Sequence, residues 1–280
     1  MVKRISFINL KGGVGKTTLA VNVAANLAFY HKKKILLVDL DPQTNSTVSL
    51  ITPSKYLEEK GKNHTLKELY DSQLNMNDSF DCNKIIFKNA GSVKNLDLIP
   101  SDLELIDIDI QLSRIPNCHA IIRNNIETEF EKYDYVIFDC PPNLGLLTQN
   151  GLFSSDYYIV PVQPDFLSTF GLELVRGRVE WFIDKIGTSA SAFSLKYGGL
   201  IFSRVRHTIE HLQKMEELQS KKELSPVFKT AIYERTAISE SSSKSVPICK
   251  SKIGFGWQDV NKMFMELTDE FIEYFPNEEV

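Results

Sequence analysis

This chain has few cysteines, only a small excess of negative charge and no long apolar run. Its 280 residues include four cysteines, Cys82, Cys118, Cys140 and Cys249, and no two of them form a Cys-x-x-Cys pair. That spacing excludes a disulfide framework or a zinc site and indicates scattered reduced thiols. The formal net charge of −4 excludes polyanion binding through bulk charge, so any nucleic-acid contact needs a local basic patch.

Membrane-spanning and secretory patterns are also missing. There is no run of about 18 apolar residues, and no leader pattern precedes the first apolar segment, Ile5–Ile8. The sequence therefore predicts a soluble, cytoplasmic protein. With 42% hydrophobic residues, the chain is long enough to bury a full core.

What is present is an alternation of short apolar segments with longer helical ones. Near-continuous apolar runs are typical of strands covered on both faces. The alternation predicts an α/β fold with a mostly parallel central sheet and helices on both faces. The predicted strands are Arg4–Ile8, Lys34–Val38, Tyr135–Phe138, Tyr157–Val160 and Gly199–Phe202. The predicted helices are Thr17–Tyr30, Ile121–Lys132, Thr169–Ile186, Ile209–Leu218 and Gln258–Phe275.

We expect one domain over residues 1–280, because neither polar interruption has the composition of a linker between independent domains. Residues 52–83 are rich in Lys, Asp and Asn and predict a surface excursion with a short helix near Leu66–Tyr70. Residues 239–256 are rich in Ser and Lys and predict a mobile loop before a C-terminal helix at 257–275.

A glycine-rich loop stands between the first predicted strand and an alanine-rich helix. It reads Lys11-Gly12-Gly13-Val14-Gly15-Lys16-Thr17-Thr18. Glycines permit backbone angles closed to other residues, so successive N–H groups can turn towards one anion, and the next helix adds its free amides. Lys16 can then reach phosphate oxygens, and the Thr17 hydroxyl can contact Mg²⁺. The pattern predicts a phosphate-binding loop rather than an ordinary strand-to-helix turn.

Carboxylates follow two other predicted strands. Asp39 and Asp41 stand in Asp-Leu-Asp-Pro-Gln, and Asp139 stands in Asp-Cys-Pro-Pro. Acids at the carboxyl ends of parallel strands lie where α/β proteins bind ligands, and there they can support Mg²⁺ or orient a water. Each acid taken alone is equally well explained as a turn residue. The glycine loop favours the functional interpretation.

The loop resembles the deviant Walker A box of the ParA/MinD family of P-loop ATPases, and the acidic segments resemble the switch I and Walker B segments of ParA proteins. The resemblance implies ATP and Mg²⁺ as cofactors, with Lys11 through Thr18 around the phosphates. It implies that Lys11, Lys16 and Asp41 are catalytic, Lys11 acting across an ATP-bound homodimer and Asp41 positioning water. Thr17, Asp41 and Asp139 would serve the metal, with Asp39 as a supporting acid.

The resemblance continues through Pro141–Asn150, Asp156–Gly171 and Phe228–Ile248. Two positions depart from the ParA pattern: Leu10 replaces the usual Gln, and Thr44 stands where Gly is typical. Both flank the switch region. Since no helix-turn-helix segment precedes the first strand, the short ParA type is expected over the long autorepressor type.

The charge distribution near the C-terminus separates membrane binding from DNA binding. Residues 257–280 carry one Lys against seven Asp/Glu, which argues against a MinD-like membrane tail. Residues 201–256 carry ten Lys/Arg and six Asp/Glu. Their basic side chains are either an ordinary solvated surface or a patch for DNA phosphates, and the resemblance favours DNA. The candidate DNA contacts are Lys221, Lys222, Arg235, Lys244, Lys250 and Lys252.

Adenine recognition is expected from family position at Ser203 and Arg204 and at Ile232 and Tyr233. Arg204 and Arg206 are alternatively part of the DNA patch. The resemblance as a whole implies a nucleoid-associated partition ATPase, stimulated by a ParB-like partner, that segregates a plasmid or chromosome. The alternatives are an ATPase that positions another cargo, a MinD-like spatial regulator, a non-catalytic nucleotide-binding regulator and an iron protein of the nitrogenase-reductase kind. The iron protein would need cysteines placed to bridge a cluster, and neither Cys118 nor Cys140 has that setting.

Overall fold

A six-stranded sheet flanked by helices organises the computed structural model, which describes residues 1–75, 80–112, 115–187, 193–252 and 256–277. The strands are β1 (Lys3–Phe7), β2 (Ile35–Asp39), β3 (Leu96–Ile99), β4 (Tyr135–Asp139), β5 (Tyr157–Val162) and β6 (Lys196–Phe202). The α-helices are α1 (Lys16–Phe29), α2 (Asn45–Leu50), α3 (Pro53–Gly61), α4 (Leu66–Leu74), α5 (Ile108–Leu112), α6 (Ile121–Phe130), α7 (Leu146–Phe153), α8 (Phe166–Gly187), α9 (Ile209–Ser220), α10 (Thr236–Ser243), α11 (Ile248–Ser251) and α12 (Trp257–Tyr274). Short 3-10 helices cover Cys82–Ile85, Ala90–Ser92, Leu103–Asp107, Cys118–Ala120 and Lys222–Leu224.

All strand pairs in the sheet are parallel, in the order β3-β2-β4-β1-β5-β6. The chain builds β2, β3 and β4 on one side of β1 and then β5 and β6 on the other. This reversal creates a crevice at the carboxyl ends of the central strands. Asp139 pairs in register with Phe7 of β1 and with Asp39 of β2, so the ends of β1, β4 and β2 meet there. The predicted parallel α/β fold is confirmed.

Side chains of the sheet alternate between two buried cores. Val38, Phe138 and Val160 face one core, to which α4, α6, α8 and α9 contribute. Ile137 and Ile159 face the other core, to which α1, α10, α11 and α12 contribute. Both faces of the sheet are covered, as the apolar runs predicted. In the part of the chain that the structure describes, no helix is both long and apolar enough to cross a membrane.

Strand β3 was not predicted from the sequence. It is only four residues long and contains an acid, Asp97, whose carboxylate accepts hydrogen bonds from Tyr133 Oη (2.8 Å) and Lys88 Nζ (2.9 Å). These partners allow a charged side chain to stand in an otherwise apolar strand. The polar residue masks the apolar run on which strand prediction depends.

The segment predicted as a mobile loop is helical in its described part. Residues 239–251 contain most of α10 and all of α11, while residues 253–255 lie outside the described residues. Ile248 and Cys249 are buried in the core beside α1. The backbone N–H of Ile248 donates to Asn22 Oδ1 (2.9 Å), which ties α11 to α1. A loop assignment based on Ser and Lys content was therefore wrong here.

The predicted surface excursion at 52–83 also differs from the structure. It holds α3 and α4, and residues 76–79 lie outside the described residues. The predicted helix near Leu66–Tyr70 is present as α4, but Leu66, Leu69 and Tyr70 are fully buried. Helix α4 therefore belongs to the core rather than to the surface.

Candidate nucleotide-binding site

The glycine loop between β1 and α1 opens onto the crevice at the carboxyl ends of the strands. Gly13 (φ 73°) and Gly15 (φ 86°) both adopt left-handed backbone angles, and Gly15 is the residue that precedes the first turn of α1. Residues other than glycine rarely adopt these backbone angles, which explains the glycines at these two positions. The start of α1, whose first amides have no partner within the helix, lies at the crevice, where an anion can be bound.

A cavity of about 690 Å³ lies over this loop. Its size is in the range of small-molecule sites. It is lined by Gly12, Gly13, Gly15, Lys16, Thr17, Thr18, Asp41, Ser203, Arg204, Ile232 and Tyr233, together with residues of α2 and α10. The structure thus brings together most of the residues predicted to hold the nucleotide. Val14 is buried beneath the loop, and Lys11 lies to one side of it.

Lys16 is the buried cation of the site, with 7% of its surface exposed. Its ammonium donates to the carbonyl oxygens of Asn9 (3.1 Å) and Lys11 (3.4 Å), which curl around it. Burial lowers the pKa of Lys16, and the charges of Asp139 and Asp41 oppose that shift. Burial of the ammonium among carbonyl dipoles favours an anionic ligand, which would add the missing countercharge.

Lys11 has a different environment from Lys16. Its ammonium forms an ion pair with Asp165 Oδ2 at 2.7 Å, and its side chain is 38% exposed. Asp165 follows β5 and was not singled out from the sequence. The side chain of Lys11 therefore points away from Lys16, towards the carboxyl end of β5.

Asp139 is the central carboxylate and is fully buried. Its Oδ2 accepts hydrogen bonds from the hydroxyls of Thr17 (2.7 Å) and Ser46 (2.8 Å). Its Oδ1 is buried without a hydrogen-bond partner. Burial raises the pKa of Asp139 to about 6, although Thr17, Ser46 and Lys16 favour the ionised form. A buried, unpaired carboxylate oxygen requires a ligand, and a metal-bound water is one that fits.

Asp39 and Asp41 occupy distinct positions beside Asp139. Asp39 is fully buried, and its Oδ2 accepts from the backbone N–H and the hydroxyl of Thr47 (2.8 and 2.7 Å). Burial, with the nearby charge of Asp139, raises the pKa of Asp39. Asp41 lines the cavity, and its Oδ1 accepts from the N–H of Gln43 (2.9 Å). Asp39 therefore supports the start of α2, while Asp41 faces the ligand space.

The sequence analysis did not identify the residues that bind and orient the predicted site residues. Ser46, Thr47, Asp165 and Glu234 each make a hydrogen bond or ion pair to a predicted site residue. The only sequence signal was their nearness to the motifs: Ser46 and Thr47 follow Asp41 by a few positions. Glu234 directly follows Tyr233 in a segment that resembles ParA proteins, but its partner Arg204 lies 30 residues away, so nothing in the sequence pairs the two.

The residues predicted to contact adenine lie at one end of the cavity. Ile232 bonds through its backbone to Phe202 O (2.9 Å) and Val205 N (3.0 Å), which aligns it beside the end of β6. Tyr233 stacks on His207 with ring centroids 4.5 Å apart. Ser203 and Arg204 instead donate to carbonyl oxygens of the glycine loop.

The six candidate DNA contacts do not form one cluster. Lys221 and Lys222 follow α9 beside the first core, and Lys221 pairs with Glu217 at 3.4 Å. The other four flank α10 and α11 beside the second core. Among these, the Arg235 guanidinium lies 5.8 Å from the Tyr233 ring centroid and the Lys250 ammonium lies 5.4 Å from that of Phe29. The structure thus divides the predicted patch between the two faces of the sheet.

The cysteines give no support to an iron–sulfur function. Cys140 is buried, and burial raises the pKa of its thiol to about 12. A thiol must lose its proton to bind a metal, so this environment disfavours ligation. Among the described residues, no group of three or more His, Cys, Asp or Glu side chains is arranged to hold a metal ion.

Comparison with known proteins identifies the family of the chain. A family model described as an AAA domain matches residues 2–191. The chain is 34% identical over 249 residues to the sporulation initiation inhibitor protein Soj of Bacillus subtilis, covering 89% of this chain and 90% of that protein. It is also 34% identical over 207 residues to the virulence plasmid ParA family protein pGP5-D of Chlamydia psittaci, covering 72% and 69% of the two chains.

Solved structures share the fold. A proposed plasmid partition protein of Borrelia burgdorferi B31, bound to AMPPNP, superposes with a TM-score of 0.76 at 24% identity, covering 98% of this chain and 99% of that one. Cobyrinic acid a,c-diamide synthase of Mycobacterium smegmatis, with a bound ATP analogue and magnesium, gives a TM-score of 0.75 at 23% identity, covering 99% and 96%. Because the fold hosts more than one activity, function has to be argued from the site.

Proposed function

The chain belongs to the ParA family of P-loop ATPases, and from this premise we propose that it is a partition ATPase. It binds ATP with Mg²⁺ at the glycine loop, closes into a homodimer, binds DNA without sequence preference and hydrolyses ATP when a ParB-like partner stimulates it. The cargo is a plasmid or a chromosome. A cytoplasmic location on the nucleoid follows from the DNA binding.

The arrangement around Asp139 carries this proposal. The start of α1 supplies amides and Lys16 supplies a buried cation. Beside them, Asp139 has one oxygen without a hydrogen-bond partner and one that accepts from the hydroxyls of Thr17 and Ser46. A polyphosphate satisfies the amides and the cation together. An adenine nucleotide also suits a cavity of about 690 Å³ that has an aromatic residue, Tyr233, in its lining.

Mg²⁺ fits the residues present. It usually binds proteins through one or two carboxylates or hydroxyls plus substrate phosphates and waters, rather than through a complete protein cage. The hydroxyl of Thr17 would hold the ion, with support from the carboxylates of Asp139 and Asp41. When bound, the ion neutralises charge on the phosphates.

Hydrolysis depends on positioning and charge. Asp41, which lines the cavity, orients the attacking water, and its carboxylate is held in place by the Gln43 N–H. Lys16 stabilises the charge that develops on the phosphate oxygens. Lys11 adds a second cation from the partner subunit once it leaves Asp165.

The experiment that tests the proposal compares the nucleotide states directly. Size-exclusion chromatography and phosphate release are measured with ATP, ADP and no nucleotide, with and without DNA and the partner. Lys16→Ala should lose ATP binding. Asp41→Ala should keep ATP binding and lose nearly all turnover. If ATP changes neither the oligomeric state nor DNA affinity of the parent protein, the partition function is wrong.

DNA binding is tested by its salt dependence. Each lost phosphate contact should make the negative slope of log K against log salt shallower by about 0.9. We expect this change for Lys244→Ala and Lys250→Ala, which lie beside α10 and α11, and none for Lys222→Ala, which lies at the other core. An unchanged slope in all three variants would move the DNA contacts elsewhere.

A further inference from the structure

Two carbonyl groups of the glycine loop are anchored by the segment that follows β6. Arg204 Nη1 donates to Gly13 O at 2.7 Å, and the Ser203 hydroxyl donates to Val14 O. In a trans peptide the C=O and the N–H point in opposite directions. Drawing these two oxygens towards β6 therefore turns the N–H groups of Val14 and Gly15 the other way, to the side on which a phosphate would bind.

The guanidinium of Arg204 is itself held in place. Its Nη2 donates to Glu234 Oε1 (2.7 Å), and Glu234 Oε2 accepts from Arg206 Nε (2.6 Å). One planar group thus bridges a carboxylate and the loop carbonyl, which a flexible ammonium does not reproduce. The backbone of Arg204 is in the left-handed region (φ 51°), a conformation uncommon for a residue other than glycine.

The packing between the two segments is close. A Cβ atom on Gly13 would lie 3.5 Å from Arg204 Nη1, and one on Gly15 would lie 3.3 Å from the Ser203 Oγ. The loop therefore rests directly against the residues that follow β6. Small movements of Arg204 would be passed to the peptide groups of the loop.

We propose that Arg204, aligned by Glu234, is a positioning residue for the polyphosphate part of the nucleotide, because it fixes the Gly13 peptide before the ligand arrives. The inference rests on the proposed nucleotide binding at this loop and replaces the expected contact of Arg204 with adenine. Donors held in advance need no reorganisation on binding, so their alignment adds to affinity. The recognised chemistry is the phosphate chain and not the base.

The first test compares ATP with inorganic tripolyphosphate, both with Mg²⁺, by isothermal titration calorimetry. Arg204→Ala should weaken both ligands about tenfold, the loss expected for one charge-assisted hydrogen bond. Arg204→Lys should not restore binding, although it keeps the charge and the aliphatic stem. A loss confined to ATP would assign Arg204 to the base, and unchanged binding of both ligands would also overturn the proposal.

The second test asks whether Glu234→Ala strengthens or weakens polyphosphate binding. By charge alone, Glu234→Ala should tighten polyphosphate binding, because it removes a negative group beside the cavity. By positioning, it should weaken binding, because Arg204 loses its alignment. The double variant with Arg204→Ala should then be no weaker than Arg204→Ala alone. Tightening, or no change, in Glu234→Ala contradicts the proposal.

Controls separate this role from a loss of folding and from the proposed function itself. Arg206→Ala removes the other partner of Glu234 without touching the loop and should weaken both ligands clearly less than Arg204→Ala does. The side chains of Arg204 and Glu234 are 43% and 38% exposed, so their variants should fold, and thermal unfolding checks this. If the parent binds neither ATP nor tripolyphosphate, the proposed function fails. If the parent binds both ligands and the Arg204 and Glu234 variants bind them equally well, the positioning role is wrong and the proposed function stands.

Discussion

Thr44 directly precedes α2, and its backbone lies in the left-handed region, with φ 57° and ψ 25°. A β-branched residue is an outlier there, and glycine is typical of ParA proteins at this position. The backbone N–H of Thr44 donates to Asp41 O (2.8 Å), and Thr44 O accepts from Val48 N (3.0 Å), which hold the turn closed. Conformational strain is therefore stored one residue from Gln43 and three from Asp41.

Thr44→Gly should raise the free energy of unfolding by about 1 kcal/mol, because glycine adopts this conformation without steric cost. Urea denaturation measures the change. The matched control is Thr52→Gly, since Thr52 precedes α3 with ordinary angles and its side chain accepts from Lys55 N. That variant should lose a few tenths of a kcal/mol. If both variants shift stability in the same direction, Thr44 is not strained.

Asp139 is a buried carboxylate whose Oδ1 has no partner in the protein alone. Its pKa is raised to about 6 by burial, so the folded state binds a proton more tightly than the unfolded chain does. Stability contributed at acidic pH is then lost as the pH rises from about 4 to about 6. Asp139→Asn removes this loss and keeps an oxygen for Thr17 and Ser46.

We therefore expect Asp139→Asn to be more stable than the parent by about 2 kcal/mol at pH 7 without nucleotide, and no more stable at pH 4. The same variant should bind Mg²⁺ and ATP more weakly. Thermal unfolding at the two pH values, followed by titration calorimetry, measures both effects. A variant less stable than the parent at pH 7 would contradict the view that this charge is kept for ligand binding.

At the scale of elements, α7 packs close against the end of the sheet beneath the site. A Cβ on Gly151 would lie 2.6 Å from Leu40 Cδ1 and 3.3 Å from Cys140 Sγ. Leu40 and Cys140 each follow directly after a site acid, Asp39 and Asp139. The absence of a side chain at Gly151 thus sets how closely α7 approaches the residues that carry the carboxylates.

Gly151→Ala should lower the free energy of unfolding by about 1–3 kcal/mol, as overpacking does, and should reduce turnover by displacing Leu40 and Cys140. Gly177→Ala in α8 is the control: its Cβ meets nothing within 4 Å, so helix propensity should stabilise the fold by about 1 kcal/mol. Chemical denaturation and phosphate release measure the two variants side by side. Equal effects would show that α7 adjusts to the added methyl group.

The elements differ in how far the sequence could predict them. Strands β1, β2, β4, β5 and β6 each contain a near-continuous apolar run, and each was predicted. Strand β3 was missed because Asp97 interrupts its apolar run, and the hydroxyl of Tyr133 that compensates this acid lies 36 residues away along the chain. Helix α11 was missed because its burial depends on Asn22 of α1. Long-range partners that compensate a polar sequence leave no local pattern.

The site divides in the same way. The glycine loop and the three acids could be predicted because each is a local motif at the end of a strand. Strands β1, β2 and β4 are neighbours, so their ends meet at one edge of the sheet. The residues that form ion pairs with site residues, such as Glu234 with Arg204 and Asp165 with Lys11, lie in other parts of the chain and follow no motif spacing. The predicted basic patch treated positions close in sequence as close in space, and the sheet separates them.

At the scale of the whole molecule, the ion pair of Lys11 with Asp165 bears on the proposed dimer. The two side chains are 38% and 25% exposed, and such pairs contribute only about 0–1 kcal/mol. Phosphates of a second subunit can therefore replace Asp165 at little cost. In this account the free subunit keeps Lys11 on its own β5 end, and dimerisation transfers it to the partner's nucleotide.

Asp165→Asn should strengthen ATP-dependent dimerisation up to about fivefold, since it removes the competitor for Lys11. Lys11→Ala should abolish it. Analytical ultracentrifugation with ATP over a range of protein concentrations measures the dimer dissociation constant. The control is Asp71→Asn, which breaks a pair of similar exposure with Lys67 on α4 and should leave dimerisation unchanged. If Asp165→Asn weakens the dimer as much as Lys11→Ala does, Asp165 supports the interface, and Lys11 acts within its own subunit.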